Sequence, residues 1–277
     1  MTDFGDKLVG VYHFLTDRTP KNIPLVDPRP RPANPWVRNG DRVLLKPNFN
    51  SQDPYPGSTD LEFLRAAVEL LLEAGAKVTI GESSGGMWRP TRTVFRKVGM
   101  FELARYLGVE LIAFEDKPDD WVKVKVNGDY LSSVPMPRSA YEADKIVYLP
   151  CVRTHNLTRF SGALKLTVGF MHPGERRALH ARNLEQKVAE INLALQPDLI
   201  IVDGRKSFVS GGPNKGELVE PGVIMASGDL VAIDVEALNI LGSYKANNRL
   251  LPNASDSPQI VTALRHSLGS KEYKLIA

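Results

Sequence analysis

The run RVLLKPNFNSQDPYPGSTDLEFLRAAVELLLEAGAKVTIGE, Arg42 to Glu82, decides the fold. RVLLK is a short apolar strand that Pro47 stops, because proline has no N–H to give to a sheet. STDLEFLRAAVELLLEAGA then carries a helical period. Leu61, Leu64, Val68, Leu71 and Leu72 fall on one face, Thr59 and Glu62 have the spacing of a capping box, and Gly75 supplies the stop. KVTIGE is a second strand. Strand, helix, strand within about forty residues is a parallel pair joined by a right-handed crossover.

The same alternation continues along the chain. A helical stretch at 93–107 leads to the strand VELIAF, KIVYL and DLIIV are further strands, and helices are expected in LEQKVAEINLAL and DLVAIDVEALNILG. GVIMAS is a strand and a last short helix falls near 258–268. WVKVKV and DYLSSVPMP flank Asn127-Gly128, the strongest short turn signal, and predict a hairpin. The expected architecture is α/β: a mainly parallel sheet flanked by helices in Rossmann-like layers, with an appended antiparallel hairpin. Residues 1–40 are expected to form an N-terminal segment with a proline-rich arm, and residues 41–277 a single α/β domain. Six prolines in residues 20–35 argue against any helix or internal strand there.

With 277 residues, 43% hydrophobic and 24% charged, the composition is that of an ordinary globular protein. The formal net charge is only +3, so a basic cluster in this chain is a local feature. A single cysteine, Cys151, leaves no internal disulfide and no iron–sulfur cluster held by this chain alone. The first residues do not read as a secretory signal, and no apolar run approaches membrane-spanning length. A cytoplasmic protein without a membrane partner is expected.

One segment breaks the even mixture of charges. Residues 153–182 hold six Lys and Arg, three of the five histidines and one acid, Glu175. Such a one-sided segment calls for an anion. In open α/β sheets ligands bind beyond the carboxyl ends of the strands. There the sequence places Lys46 and Asn48, then Glu82, Ser83 and Ser84, then Arg153, Thr154 and His155, then Asp203 and Arg205. If their strands are parallel neighbours, these groups meet at one edge.

Lys165, Arg153 and Arg159 are suited to clamp a carboxylate or phosphate, and His155, titrating near neutrality, to move a proton beside it. GESSGG is a weak anion-binding signal, and VSGGPNKGE reads as a turn more readily than as a lid. Asp229 reads as a helix N-cap, and Asp234 is not on its face. His172 reads as a turn residue, and His13 and His266 as surface residues. Cys151 reads as a small semi-buried residue rather than a nucleophile.

LLKPN, LLLEAGAKVTIGESSG, RTHNLTRFSGALK, HPGERRALHA, PDLIIVDG and SGDLVAIDVEAL together resemble a family known by a placeholder, domain of unknown function three-six-two. Members of that family often carry a ferredoxin-like cluster domain. This chain has no cysteine motif of that kind, so electron chemistry would imply a ferredoxin-like partner supplying the cluster. THNLTRFSGALK is, more distantly, similar to the lactate-racemase proteins, which use a nickel-pincer cofactor built on a pyridinium nucleotide. That resemblance implies Lys165 as cofactor or anion anchor, His155 as acid/base, His180 as metal ligand, and Ser161 and Gly162 in the turn between them. It also implies a bound metal or nucleotide-derived cofactor. The chain departs from the racemases after VTIGE, where Ser83, Ser84 and Trp88 stand and no histidine does.

Three functions compete on this reading. The first is an enzyme, racemase- or isomerase-like or redox, acting on a small anionic substrate. The second is a non-catalytic anion-binding or accessory module for an iron–sulfur partner. The third is RNA binding, disfavoured because only Phe160 and Phe170 interleave with the basic residues.

Overall fold

The computed structural model describes residues 25–27, 37–85 and 89–276. Fourteen strands appear among them: β1 (Leu25–Asp27), β2 (Arg42–Lys46), β3 (Lys77–Glu82), β4 (Glu110–Ala113), β5 (Trp121–Lys125), β6 (Ser133–Pro137) and β7 (Lys145–Tyr148), then β8 (Arg153–His155), β9 (Arg159–Ser161), β10 (Leu199–Gly204), β11 (Ser207–Gly211), β12 (Gly216–Val219), β13 (Val223–Ser227) and β14 (Lys274–Ile276). Eight of them build one sheet in the order β14-β1-β13-β10-β7-β2-β3-β4. From β10 through β4 every neighbour is parallel, whereas β13 and β14 run antiparallel to β10 and β1. The fold is α/β with a mixed, mainly parallel central sheet, flanking helices and antiparallel hairpins at β5–β6, β8–β9 and β11–β12.

Alternation along the strands divides the core into two. Val43, Leu45, Val78, Ile80, Val147 and Ile201 face one layer, which the helices Leu61–Glu73, Thr91–Val98 and Met100–Leu107 cover. Leu44, Ile146, Tyr148, Ile200 and Val202 face the other, closed by the helices Leu184–Glu190, Leu230–Gly242 and Pro258–Arg265. Period two along a strand buries both faces, which explains why these strands read as unbroken apolar runs.

Four local readings change. The N-cap of the first helix is Asp60, which accepts from Phe63 N at 2.9 Å, while Thr59 Oγ1 accepts from Asn48 N instead. Leu72 is 36% exposed, so the buried stripe runs through Phe63, Leu64, Ala67, Val68 and Leu71. The stretch 93–107 is two helices, because Gly99 at φ 83° ends one and begins the next. Most of the proline-rich arm lies outside the described residues, but Leu25–Asp27 between Pro24 and Pro28 is an internal strand, paired with β13 on one side and β14 on the other. Three residues that are not proline suffice for that, since only their own N–H groups enter the ladder.

Candidate functional site

β10, β7, β2 and β3 are adjacent and parallel, so the four strand ends named above do lie along one edge. Beyond that edge opens a cavity of about 1290 Å³. Small-molecule clefts usually enclose about 300–1,000 Å³, so this one admits a sizeable ligand. Lys46, Asn48, Glu82, Ser83, Arg153, His155, Ser161, Gly162, Lys165 and His180 all line it. Arg89, Glu115, Arg176 and Arg177 join them, giving six cationic side chains against two carboxylates. Leu166, Val168, Leu179, Leu184 and Val188 supply apolar wall.

Five of the expected residues belong elsewhere. Ser84 Oγ donates to Phe49 O at 2.6 Å and Thr154 Oγ1 to Phe208 O at 3.1 Å, both inside the fold. Arg159 turns to Glu185 at 3.5 Å. Asp203 accepts from Tyr55 Oη at 2.8 Å and from Arg205 Nε and Nη2 at 2.9 and 2.8 Å, and Arg205 also reaches Asp60. These five spend their polar groups within the fold, which strand-end position alone does not distinguish from lining the cavity.

The two acid–base partners at the cavity floor neutralise each other. Lys46 and Glu82, each 1% exposed, form a buried ion pair. Lys46 Nζ also donates to Pro47 O at 2.8 Å, and Glu82 takes Phe49 N and Ser83 N, both at 2.7 Å. Arg176 is equally committed. Its guanidinium donates to the carbonyls of Ser83, Gly169 and Met171 at 2.9, 3.2 and 2.8 Å, tying the loop after β3 to the turn after residue 166.

Arg153 and Lys165 are different. Arg153 is 3% exposed, and Asn48 Oδ1, its amide turned toward the guanidinium, accepts from both Nη atoms at 3.0 Å. Its Nε is buried without a hydrogen-bond partner; burial lowers its pKa and outweighs Cys151 and, from beyond ion-pair distance, Asp53, which favour its charge. The Lys165 amine has neither an ion pair nor a hydrogen bond among the described residues. Burial, then Arg153, then Arg176 push its pKa down to about 8. Burial raises that of Cys151, which keeps the thiol protonated and agrees with its reading as a packed residue rather than a nucleophile.

The histidines carry legible tautomers. His155 Nδ1 accepts from Leu157 N and Thr158 N at 3.1 and 3.3 Å, so its one ring proton is on Nε2. Burial, then Lys165, Arg153 and His180 push its pKa down to about 2. His155 therefore stays neutral and does not titrate near neutrality; it is a fixed hydrogen-bond donor. His180 is the converse. Its Nδ1 lies 3.0 Å from Arg176 O, which can only accept, so Nδ1 carries a proton, and in the neutral ring Nε2 has the lone pair. His172 Nδ1 accepts from Gly174 N, the turn role expected of it.

Lys165 stands on a short helix, Ala163–Leu166, that is held from below. Asp234, fully buried in the helix Leu230–Gly242, accepts from Ala163 N and Leu164 N at 2.6 and 2.9 Å. Asn192 Nδ2 donates to Leu164 O at 3.0 Å. A Cβ on Gly162 would collide with Asp234, so only glycine admits this approach. Neither Asp234 nor Asn192 was expected here. The signal for Asp234 was an acid on the apolar face of its helix, while Glu236 and Asn239 turn instead to Tyr273. Asp229 is the N-cap, accepting from Val231 N and Ala232 N.

Away from the cavity, Asp129, Glu190 and His266 bring one ligand atom each within 4.8 Å of the others, an arrangement compatible with a metal ion. His266 is thus not a free surface residue; its Nε2 lies 3.5 Å from Glu190 Oε1. His180 joins no such group of three among the described residues. Glu190 already accepts from Asp129 N, Tyr130 N and Leu131 N, which alone accounts for its burial. Among the described residues no helix is long and apolar enough to cross a membrane.

Residues 43–239 match a family model described as Domain of unknown function (DUF362). Among curated proteins the chain is similar to the thylakoid-associated protein sll1697 of Synechocystis sp., with 28% identity over 216 residues. That match covers 74% of this chain and 64% of the relative, so the chain spans just under two thirds of the relative's length. Among solved structures it is similar to the lactate racemase apoprotein from Thermoanaerobacterium thermosaccharolyticum, at 13% identity and a TM-score of 0.44, covering 82% of this chain and 52% of that one.

Proposed function

The chain belongs to the DUF362 family, and we propose that this protein binds an anionic ligand, a carboxylate or phosphate of a substrate or cofactor, in the cavity beyond the sheet edge and moves a proton on it. The observation that carries this reading is Arg153, a buried guanidinium with no carboxylate at ion-pair distance among the described residues and with Nε unpaired, in a wall of six cations and two acids. A buried charge whose close partner is a neutral amide is expensive, and an incoming anion offsets that cost. Arg153 and Lys165 anchor the anion, Arg through a planar fork that matches two oxygens.

The tautomers assign the remaining roles. His155 donates Nε2–H to negative charge that develops on the ligand, in a water-poor site where a fixed dipole acts strongly. Proton acceptance falls to His180 Nε2 or to the neutral fraction of the Lys165 amine. A nucleotide-derived cofactor is one anion that the cavity volume admits. The basic segment supports a small ligand over RNA, because Arg153 is buried, Arg159 is paired and Arg176 is spent on backbone carbonyls.

Thermal denaturation with and without inorganic pyrophosphate tests the binding. At 100 times its Kd a ligand specific for the folded state adds about 2.7 kcal/mol. Wild type should gain a shift that Arg153→Met and Lys165→Met lose, with both variants still folding cooperatively. Equal shifts in all three proteins would place the anion elsewhere.

A further inference from the structure

Three residues of the cavity wall each leave a buried polar atom without a partner: Arg153 Nε, Ser83 Oγ and Glu115 Oε2. Each such atom costs about 1–3 kcal/mol until a ligand or water meets it. Their chemistries are not alike. The guanidinium only donates, the ionised carboxylate only accepts, and the hydroxyl does either. A small anion satisfies Arg153 and repels Glu115. The acid is held in place from outside, since its other oxygen accepts from Thr91 N at 3.0 Å, at the start of the helix Thr91–Val98.

The sheet sets the distance between these groups. Val147, Leu45, Ile80 and Leu111 lie side by side across β7, β2, β3 and β4. Three strand spacings of about 4.8 Å separate the ends of that row, roughly 14 Å. Arg153 opens β8, five residues past the end of β7, and Glu115 stands two residues past the end of β4, so the row gives the order of magnitude of their separation. The cavity reaches both and passes Lys46, Glu82 and Ser83 between them.

From this we infer that the ligand is elongated and two-ended: its phosphate or carboxylate lies at Arg153 and Lys165, and an amino N–H at its far end is read by Glu115, with Ser83 beside it. The span is that of a nucleoside monophosphate whose base carries an exocyclic amine. The inference rests on the anion-binding reading above and adds Glu115 as the residue that sets specificity. A carboxylate facing an N–H forms a charge-assisted bond; facing a carbonyl in its place, it meets a second acceptor and loses it.

Calorimetric titration of the full chain with AMP, IMP, ribose 5-phosphate and inorganic pyrophosphate separates the two claims, since IMP carries a carbonyl where AMP has its amine. AMP should bind wild type at least about tenfold more tightly than IMP or ribose 5-phosphate. Glu115→Gln keeps its oxygen for Thr91 N and turns its NH2, a donor only, to the ligand, so AMP should lose its advantage and IMP should bind at least as tightly. Its thermal transition shows whether it remains folded. If AMP binds wild type no better than IMP or ribose 5-phosphate, while the phosphates themselves bind and Arg153→Met abolishes it, the far end is not read by Glu115 and this inference fails alone. If pyrophosphate, ribose 5-phosphate and both nucleotides all fail to bind, the anion-binding reading falls with it.

Discussion

Lys46 and Lys165 line the same cavity, on either side of one sheet edge, and answer the same electrostatic problem in opposite ways. Lys46 meets Glu82 and a backbone carbonyl, so its charge is settled within the fold. Lys165 meets no acceptor, and its neighbours Arg153 and Arg176 are cations that push its proton off. Residue type and apolar flanks do not separate them, although Lys46 ends the strand β2 and Lys165 stands on the helix Ala163–Leu166. Burial with a partner marks a residue that builds the site; burial without one marks a residue that waits for something. The same division holds between Arg176, spent on the carbonyls of two segments, and Arg153, whose Nε has nothing to meet.

The sharpest way to break that comparison is to remove Glu82. Glu82→Gln leaves Lys46 charged and unpaired inside the protein, which should cost about 3–5 kcal/mol by chemical denaturation. A loss under 1 kcal/mol would mean that Lys46 is not held as an ion pair.

Lys165→Met should move the other way. Replacing an unpaired, buried cation by an apolar side chain of similar length should stabilise the ligand-free protein by about 2 kcal/mol at pH 7. Its pH dependence has a definite sign. The folded pKa of about 8 lies below the ordinary lysine value of 10.5, so between these values the unfolded chain holds a proton that the folded one lacks. Wild-type stability should therefore rise relative to Lys165→Met as the pH climbs from 8 to 10.5. A flat difference across that window would show that Lys165 has a partner.

The smallest effect concerns what holds Lys165 in place. Asp234→Asn takes one acceptor from the two N–H groups of the helix Ala163–Leu166 and should cost about 1–2 kcal/mol near pH 4. Burial pushes the Asp234 pKa up to about 7, well above the usual carboxylate range, so its contribution is complete at pH 3 and declines as the pH rises from about 4 to 7. The asparagine variant should lack that slope in denaturation midpoints.

Much of this fold could be read directly. The strands Arg42–Lys46 and Lys77–Glu82 and the crossover helix follow from period and punctuation, which are local properties of the chain. Convergence of strand ends at one edge followed from parallel order, itself a consequence of the helical crossovers. Harder to see was the strand Leu25–Asp27, since its partners β13 and β14 are some two hundred residues away and nothing local marks it. His155 and His180 could be singled out by residue type, yet their proton positions depend on whether Nδ1 faces an N–H or a carbonyl.

From the sequence alone come the α/β alternation, the concentration of positive charge in residues 153–182 and the strand-end lysines, because periodicity and composition are summed over neighbours in the chain. Which charges are spent and which are free was decided only in three dimensions. Pairing depends on what another segment places within about 4 Å, and Coulomb energy at that distance is several-fold larger inside a protein than in water. Asp203 and Arg205 thus closed on each other, Arg159 went to Glu185, and Arg153 with Lys165 was left facing the cavity.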